Sequence, residues 1–209
     1  MGKAVSIQLL LVRSGSTDWL DAGRLQGRTD LPLSEPGQAS FLGDLQKFQA
    51  GVGAGVGPAV VLHGPDEACR SSARLVASRW GGRLREVEGL RPVDMGLWEG
   101  LTGAQLKERH PTAYEQWLED PTSVTPPEGE ALAEAEERLL TALARALGRA
   151  RGMVGLTMRS PAFGVVRCWL LGRPLSELWR VVEESPRFEV FSVPRTCVQD
   201  LAAQLKAGA

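Results

Sequence analysis

Apolar and polar positions follow two rhythms along the chain. Short apolar runs bounded by turn residues read as buried strands: SIQLLLV (6–12), AVVLH (59–63) and MVGLTM (153–158). RLREV (83–87) reads as a further strand. RFEVFSV with TCVQDLAA closes the chain as a strand pair or as a strand and a helix. Between these runs the apolar spacing turns helical. Ser34-Glu-Pro sets a serine N-cap with a proline in the first turn and opens a helix over 34–49. Further helices are predicted over 66–80, 102–109, 112–119, 130–149 and 161–171, with a proline-broken loop at 121–127.

Strands alternating with helices predict an α/β fold, a three-layer α/β/α domain around a mainly parallel sheet covered on both faces. No repeat or second domain is visible, so 1–209 reads as a single domain. Ligands of such sheets bind outside the carboxyl ends of the strands. Here those ends carry Arg13-Ser14, His63-Gly64 and Arg159-Ser160, which places a site before any chemistry is assigned. GVGAGVGP (51–58) lies between a helix and a strand and lacks the G-x-G-x-x-G spacing, so it reads as a flexible connection and not as a nucleotide loop.

Composition narrows the function classes. With 24 basic and 25 acidic residues the net charge is −1, which gives no overall excess for nucleic acid or an anionic membrane, although a local basic pocket stays open. Three cysteines outside CxxC spacing and two histidines predict a reducing, cytoplasmic setting with no disulfide frame and no metal centre. No cofactor is implied. MGKAVS fits the myristoylation pattern M-G-x-x-x-S, but a strand starts directly behind it.

The stretch LVRSGSTDW followed by GRLQGRTDLPLSEPG resembles the opening of the histidine phosphatase superfamily, the phosphoglycerate mutase-like fold, which reads L-V-R-H-G-x-T-x-W-N and G-R-x-Q-G-x-x-D-x-P-L. LRPVDMGLWEG, PPEGEA and SPAFGVVRCWLLG resemble the later family stretches, in the same order, over about residues 8 to 172. In that family a histidine attacks phosphorus, two arginines and a second histidine hold the phosphoryl oxygens, and a glutamate protonates the leaving group. The resemblance puts those three catalytic positions on Ser14, Ser160 and Pro92, and the residue after the tryptophan, an asparagine there, is Leu20 here.

Each replacement matters physically. A serine hydroxyl needs an adjacent base or a metal before it attacks. Proline has no proton to give, which removes a general-acid contribution of roughly 10²–10⁴-fold. The resemblance therefore implies a pseudophosphatase with no catalytic residue in place and a phosphate-binding pocket of Arg13, Arg70, Ser14 and Ser160, bordered by Thr17, Trp19 and His63. Its partner would be a phosphorylated small molecule or protein, or an inorganic anion; a homodimer stays open. Two alternatives stand beside it. One is an active phosphomonoesterase with a rearranged site using His63 or Ser14, with Glu86, Glu88, Asp94 or Glu99 as a displaced acid. The other is a structural or interaction protein with a vestigial pocket. His110 reads as a helix end, the six tryptophans as packing, and Glu134, Glu136 and Glu137 as solvated surface.

Overall fold

The computed structural model describes residues 6–53 and 56–207. Five strands, β1 (Ser6–Arg13), β2 (Val60–His63), β3 (Arg83–Glu86), β4 (Val154–Met158) and β5 (Phe188–Pro194), form one sheet in the order β3-β2-β4-β1-β5. The pairings β1–β4, β2–β4 and β2–β3 are parallel and β1–β5 is antiparallel. The chain end resolves as the strand-and-helix alternative. Residues 1–5 of the myristoylation pattern and residues 54–55 of the glycine-rich connection lie outside the described residues; Gly51 and Val52 extend the preceding helix.

The nine helices among the described residues are α1 (Asp18–Asp21), α2 (Glu35–Val52), α3 (Glu67–Trp80), α4 (Gly103–Arg109), α5 (Pro111–Glu119), α6 (Leu132–Gly148), α7 (Ala162–Leu171), α8 (Leu178–Glu183) and α9 (Arg195–Ala207). Their ends follow local chemistry. Ser34 caps α2 by accepting from Gly37 N at 3.0 Å, and Asp66 caps α3 by accepting from Cys69 N at 3.1 Å. Gly81, at φ 70°, ends α3 in the left-handed conformation that a residue with a Cβ avoids. The short helix α8 has no counterpart in the sequence reading, since six residues are too few to display a helical period.

Period-two alternation along β1 divides the core. Leu10 and Val12 face a cluster with Phe41, Leu45, Val76 and Phe188, beneath α2 and α3. Leu9 and Leu11 face the larger cluster built from α6, α7, α8 and α9, with Leu139, Leu143, Phe163 and Val166 at its centre. This is the expected three-layer sandwich. It leaves the carboxyl ends of β1, β2 and β4 side by side, and β4 sits between the other two. No helix among the described residues is long and apolar enough to cross a membrane.

Candidate functional site

Ser14 leaves the end of β1 buried, at 7% exposure, and its hydroxyl donates a long bond, 3.3 Å, to the Gly15 carbonyl. Gly15 N donates to Ser72 of α3 at 3.0 Å, which pins the turn to that helix. Across the mouth, Arg159 leaves the end of β4 and turns inward. Its Nη2 donates to the Gly27 carbonyl at 2.6 Å, and its Nε lies 3.2 Å from Oδ1 of Asp66, the cap of α3. Both side chains are almost fully enclosed, at 2% and 4% exposure. The pair joins the end of β4 to the turn after β2.

Gly27 also lies close against the segment that carries Val93, Met95 and Glu99. A Cβ there would run into the Glu99 side chain and the backbone of Val93 and Met95. Cys69 lies in the same cluster. Burial pushes its thiol well above the ordinary value, Asp66 adds to the rise, and Arg159 opposes it. Cys69 is thus a neutral thiol and no thiolate nucleophile. Nε and Nη1 of Arg159 and Oδ2 of Asp66 are buried without a hydrogen-bond partner, so the two groups answer each other chiefly as charges.

Arg13 and Arg70, which the resemblance gives to phosphate, have partners within the chain. Arg13 donates through Nη1 to the Val182 carbonyl at 3.2 Å and lies 5.9 Å from the centre of the Phe163 ring, against α7 and α8. Burial lowers its pKa, and the neighbouring Arg187 and Arg167 lower it further. Arg70 is bound at 2.9 Å by each of Glu67 and Glu86, and at 2.9 Å it also donates to the Pro65 carbonyl. Ser160 lies on the other side of the mouth, lining an open apolar recess of about 330 Å³ with Leu25, Met95, Trp117 and Trp179. Pro92 is buried beside Arg91, Arg28 and Asp66 in a shallow recess of about 240 Å³.

His63 is buried at 3% exposure, with Nδ1 2.6 Å from the Gly64 carbonyl, so that nitrogen carries the proton. Among the described hydrogen bonds it joins neither Ser14 nor Asp66. Thr17 is fully buried, donates to Gln26 at 2.6 Å and caps α1; the Trp19 ring lies over Gly100.

The candidate acids are tied down too. Burial works against the Glu99 charge, but bonds from Thr29 and from the backbone of Arg28 and Met95 hold its pKa below the ordinary value. Asp94 accepts from Gly96 N at 2.9 Å and pairs with Arg28 at 2.8 Å. Glu86 is held by Arg70, and Glu88 lines the shallow recess beside Pro92. None is positioned against Ser14 by a described bond. The sequence places Arg159 at a strand end without giving it a role, and marks Asp66 only as a helix start. Their only signals were a basic residue at a strand end and an N-cap aspartate.

The family model described as "Histidine phosphatase superfamily (branch 1)" matches residues 9–186. A bifunctional protein of Mycobacterium tuberculosis is 33% identical over 137 residues, which is 63% of this chain and 35% of that protein. The chain thus spans about a third of the length of this relative, 35%. Phosphoserine phosphatase 1 of Hydrogenobacter thermophilus is 27% identical over 177 residues, 83% of this chain and 80% of that protein. Among solved structures, YhfR of Bacillus stearothermophilus superposes with a TM-score of 0.72 at 25% identity, covering 86% of this chain and 85% of that one.

Proposed function

The chain belongs to the histidine phosphatase superfamily, and from that premise we propose that it is a pseudophosphatase whose role is to interact and not to turn over a phosphoester. One observation carries the reading. Between the strand ends, where an anion would be held, the anion is the chain's own Asp66 and its cation is Arg159, 3.2 Å apart and enclosed. A phosphate entering there would have to take Arg159 from Asp66 and leave a buried carboxylate unpaired, which costs about 3–5 kcal/mol. Ser14, Pro92 and Ser160 supply neither an imidazole nucleophile nor a proton donor.

Of the non-catalytic roles, the interaction protein with a vestigial pocket has more support than a phosphate carrier. Arg70 is already neutralised by two carboxylates, and Arg13 is turned to a backbone carbonyl. A working site on Ser14 and His63 lacks the bond that would activate the serine: Nδ1 of His63 donates to the Gly64 carbonyl, and Nε2, the nitrogen left to act as a base, makes no described hydrogen bond to Ser14. The test is thermal unfolding in inorganic phosphate against chloride at matched ionic strength. A bound ligand raises stability by RT ln(1 + [L]/Kd). The expected result is equal Tm values. A phosphate-specific rise abolished by Arg13→Ala or Arg70→Ala would restore the phosphate-binding pocket and overturn the filled-site reading.

A further inference from the structure

Two sizeable grooves lie away from the strand ends, between the edge strand β3 and α6. A groove of about 640 Å³ runs into a second of about 470 Å³, and the two share Arg85, Ala146 and Arg149. Seven arginines and three glutamates line this space; Arg138 is paired with Glu130, and Glu134 and Glu137 lie toward the amino half of α6, leaving the second groove with arginines and no carboxylate. Beside Arg91 and Arg138, five arginines surround the edge: Arg83 and Arg85 from β3, Arg145 and Arg149 from or beside the end of α6, and Arg151 from the turn beyond. All five are exposed. None forms an ion pair among the described residues. In a chain of net charge −1 this is a concentrated local excess. Arg145 and Arg149 suit a helix carboxyl terminus, but that does not account for Arg83, Arg85 and Arg151. Between the arginines the groove has an apolar floor that includes Val60 and Ala150.

The groove is bounded by an open sheet edge. β3 pairs with β2 on one side only, and all four of its residues are exposed. Arg83 N and Val87 N donate to β2 carbonyls of Ala59 and His63. Strand alternation therefore turns the backbone polar groups of Leu84 and Glu86 outward. The same alternation puts Arg83 and Arg85 on one face of the sheet and Leu84, 41% exposed, on the other.

We propose that this edge and groove dock an extended acidic segment of a partner protein, which adds to the sheet beside β3 with an acidic residue at every second position. The acidic side chains enter the groove among the arginines, the intervening apolar ones cover Leu84, and the main chain bonds Leu84 and Glu86. This is strand addition, in which backbone bonds supply affinity and alternate side chains supply specificity. Charge on an edge strand discourages pairing with neutral or basic strands, and here it selects an acidic one. A second copy of this chain would set arginines of one edge against those of the other. Single-stranded nucleic acid would find no aromatic side chain along the groove to stack on. The proposal stands apart from the reading of the strand-end site and does not depend on whether that site is active.

Binding of a labelled peptide of alternating glutamate and valine to the whole chain, followed by fluorescence anisotropy, tests this. Expected is saturable binding that weakens with salt and falls at least tenfold in Arg83→Glu/Arg149→Glu. Arg109→Glu, on α4, is expected to leave it unchanged, with equal Tm values showing that the variants fold. N-methylation of alternate peptide amides on one edge is expected to abolish binding. No binding by the peptide overturns the proposal. Equal binding by a peptide with its glutamates in one block, tighter binding of an oligo(dT), or association of the chain with itself through β3 also overturns it.

Discussion

Arg159 and Asp66 carry the account at the scale of single residues. Their guanidinium and carboxylate are enclosed in a region whose neighbours offer few other polar partners. Removing one charge leaves the other buried alone, whereas removing both leaves a neutral interior. Arg159→Met is therefore expected to lower stability by about 3–5 kcal/mol. Adding Asp66→Asn, which keeps an N-cap acceptor for α3, is expected to recover much of that loss. Urea unfolding of the two single variants and the double variant gives the coupling; additive losses would show that the two charges do not depend on each other. At this scale the sequence was only partly legible. The motifs around Ser14 and Pro92 could be read from the sequence as a resemblance, and the one around Ser160 less fully, since Arg159, Pro161 and Ala162 depart from the pattern. The directions of Arg13 and Arg70 could not, because a guanidinium on a long stem goes wherever tertiary partners such as the Val182 carbonyl or Glu67 and Glu86 draw it.

Among elements, α6 is fastened to the turn that carries Pro92 by one arginine. Arg138 donates to the Gly89 and Arg91 carbonyls at 3.0 and 2.9 Å and to Glu130 at 2.8 Å, while Glu130 N donates to the Asp94 carbonyl at 3.0 Å. Burial opposes the Glu130 charge, but the Arg138 bonds outweigh it and hold its pKa below the ordinary value. A carboxylate depressed in the folded state stabilises above its unfolded pKa, and that contribution is lost as pH falls through the folded value. Glu130→Gln is expected to be less stable than wild type at pH 7, with the gap narrowing at acid pH below about 4. Urea midpoints at both pH values check this, and a gap that does not change with pH would contradict it. The helices over α2 and α3 were legible because Ser34 and Asp66 are local caps. The start of α6 was not: Glu130, read as its first residue, is drawn out of the helix by Asp94 and Arg138.

At the scale of the whole molecule, the fold of the histidine phosphatase superfamily is kept, with Arg159 and Asp66 paired between its strand ends and an arginine-rich edge open elsewhere. The sandwich itself was legible because it depends on apolar runs and their order, which need no knowledge of distant partners. The filling of the mouth depends on a contact between the β4 end and the α3 cap, which no local pattern announces. Restoring the family side chains alone is therefore expected to fail. Ser14→His, Pro92→Glu and Ser160→His together are expected to leave the protein silent while Arg159 and Asp66 remain in place. The most direct measurement is phosphate release from a generic aryl phosphate by the wild type. The account predicts release at the uncatalysed background rate. Turnover above that background, lost on Ser14→Ala or His63→Ala, would contradict it.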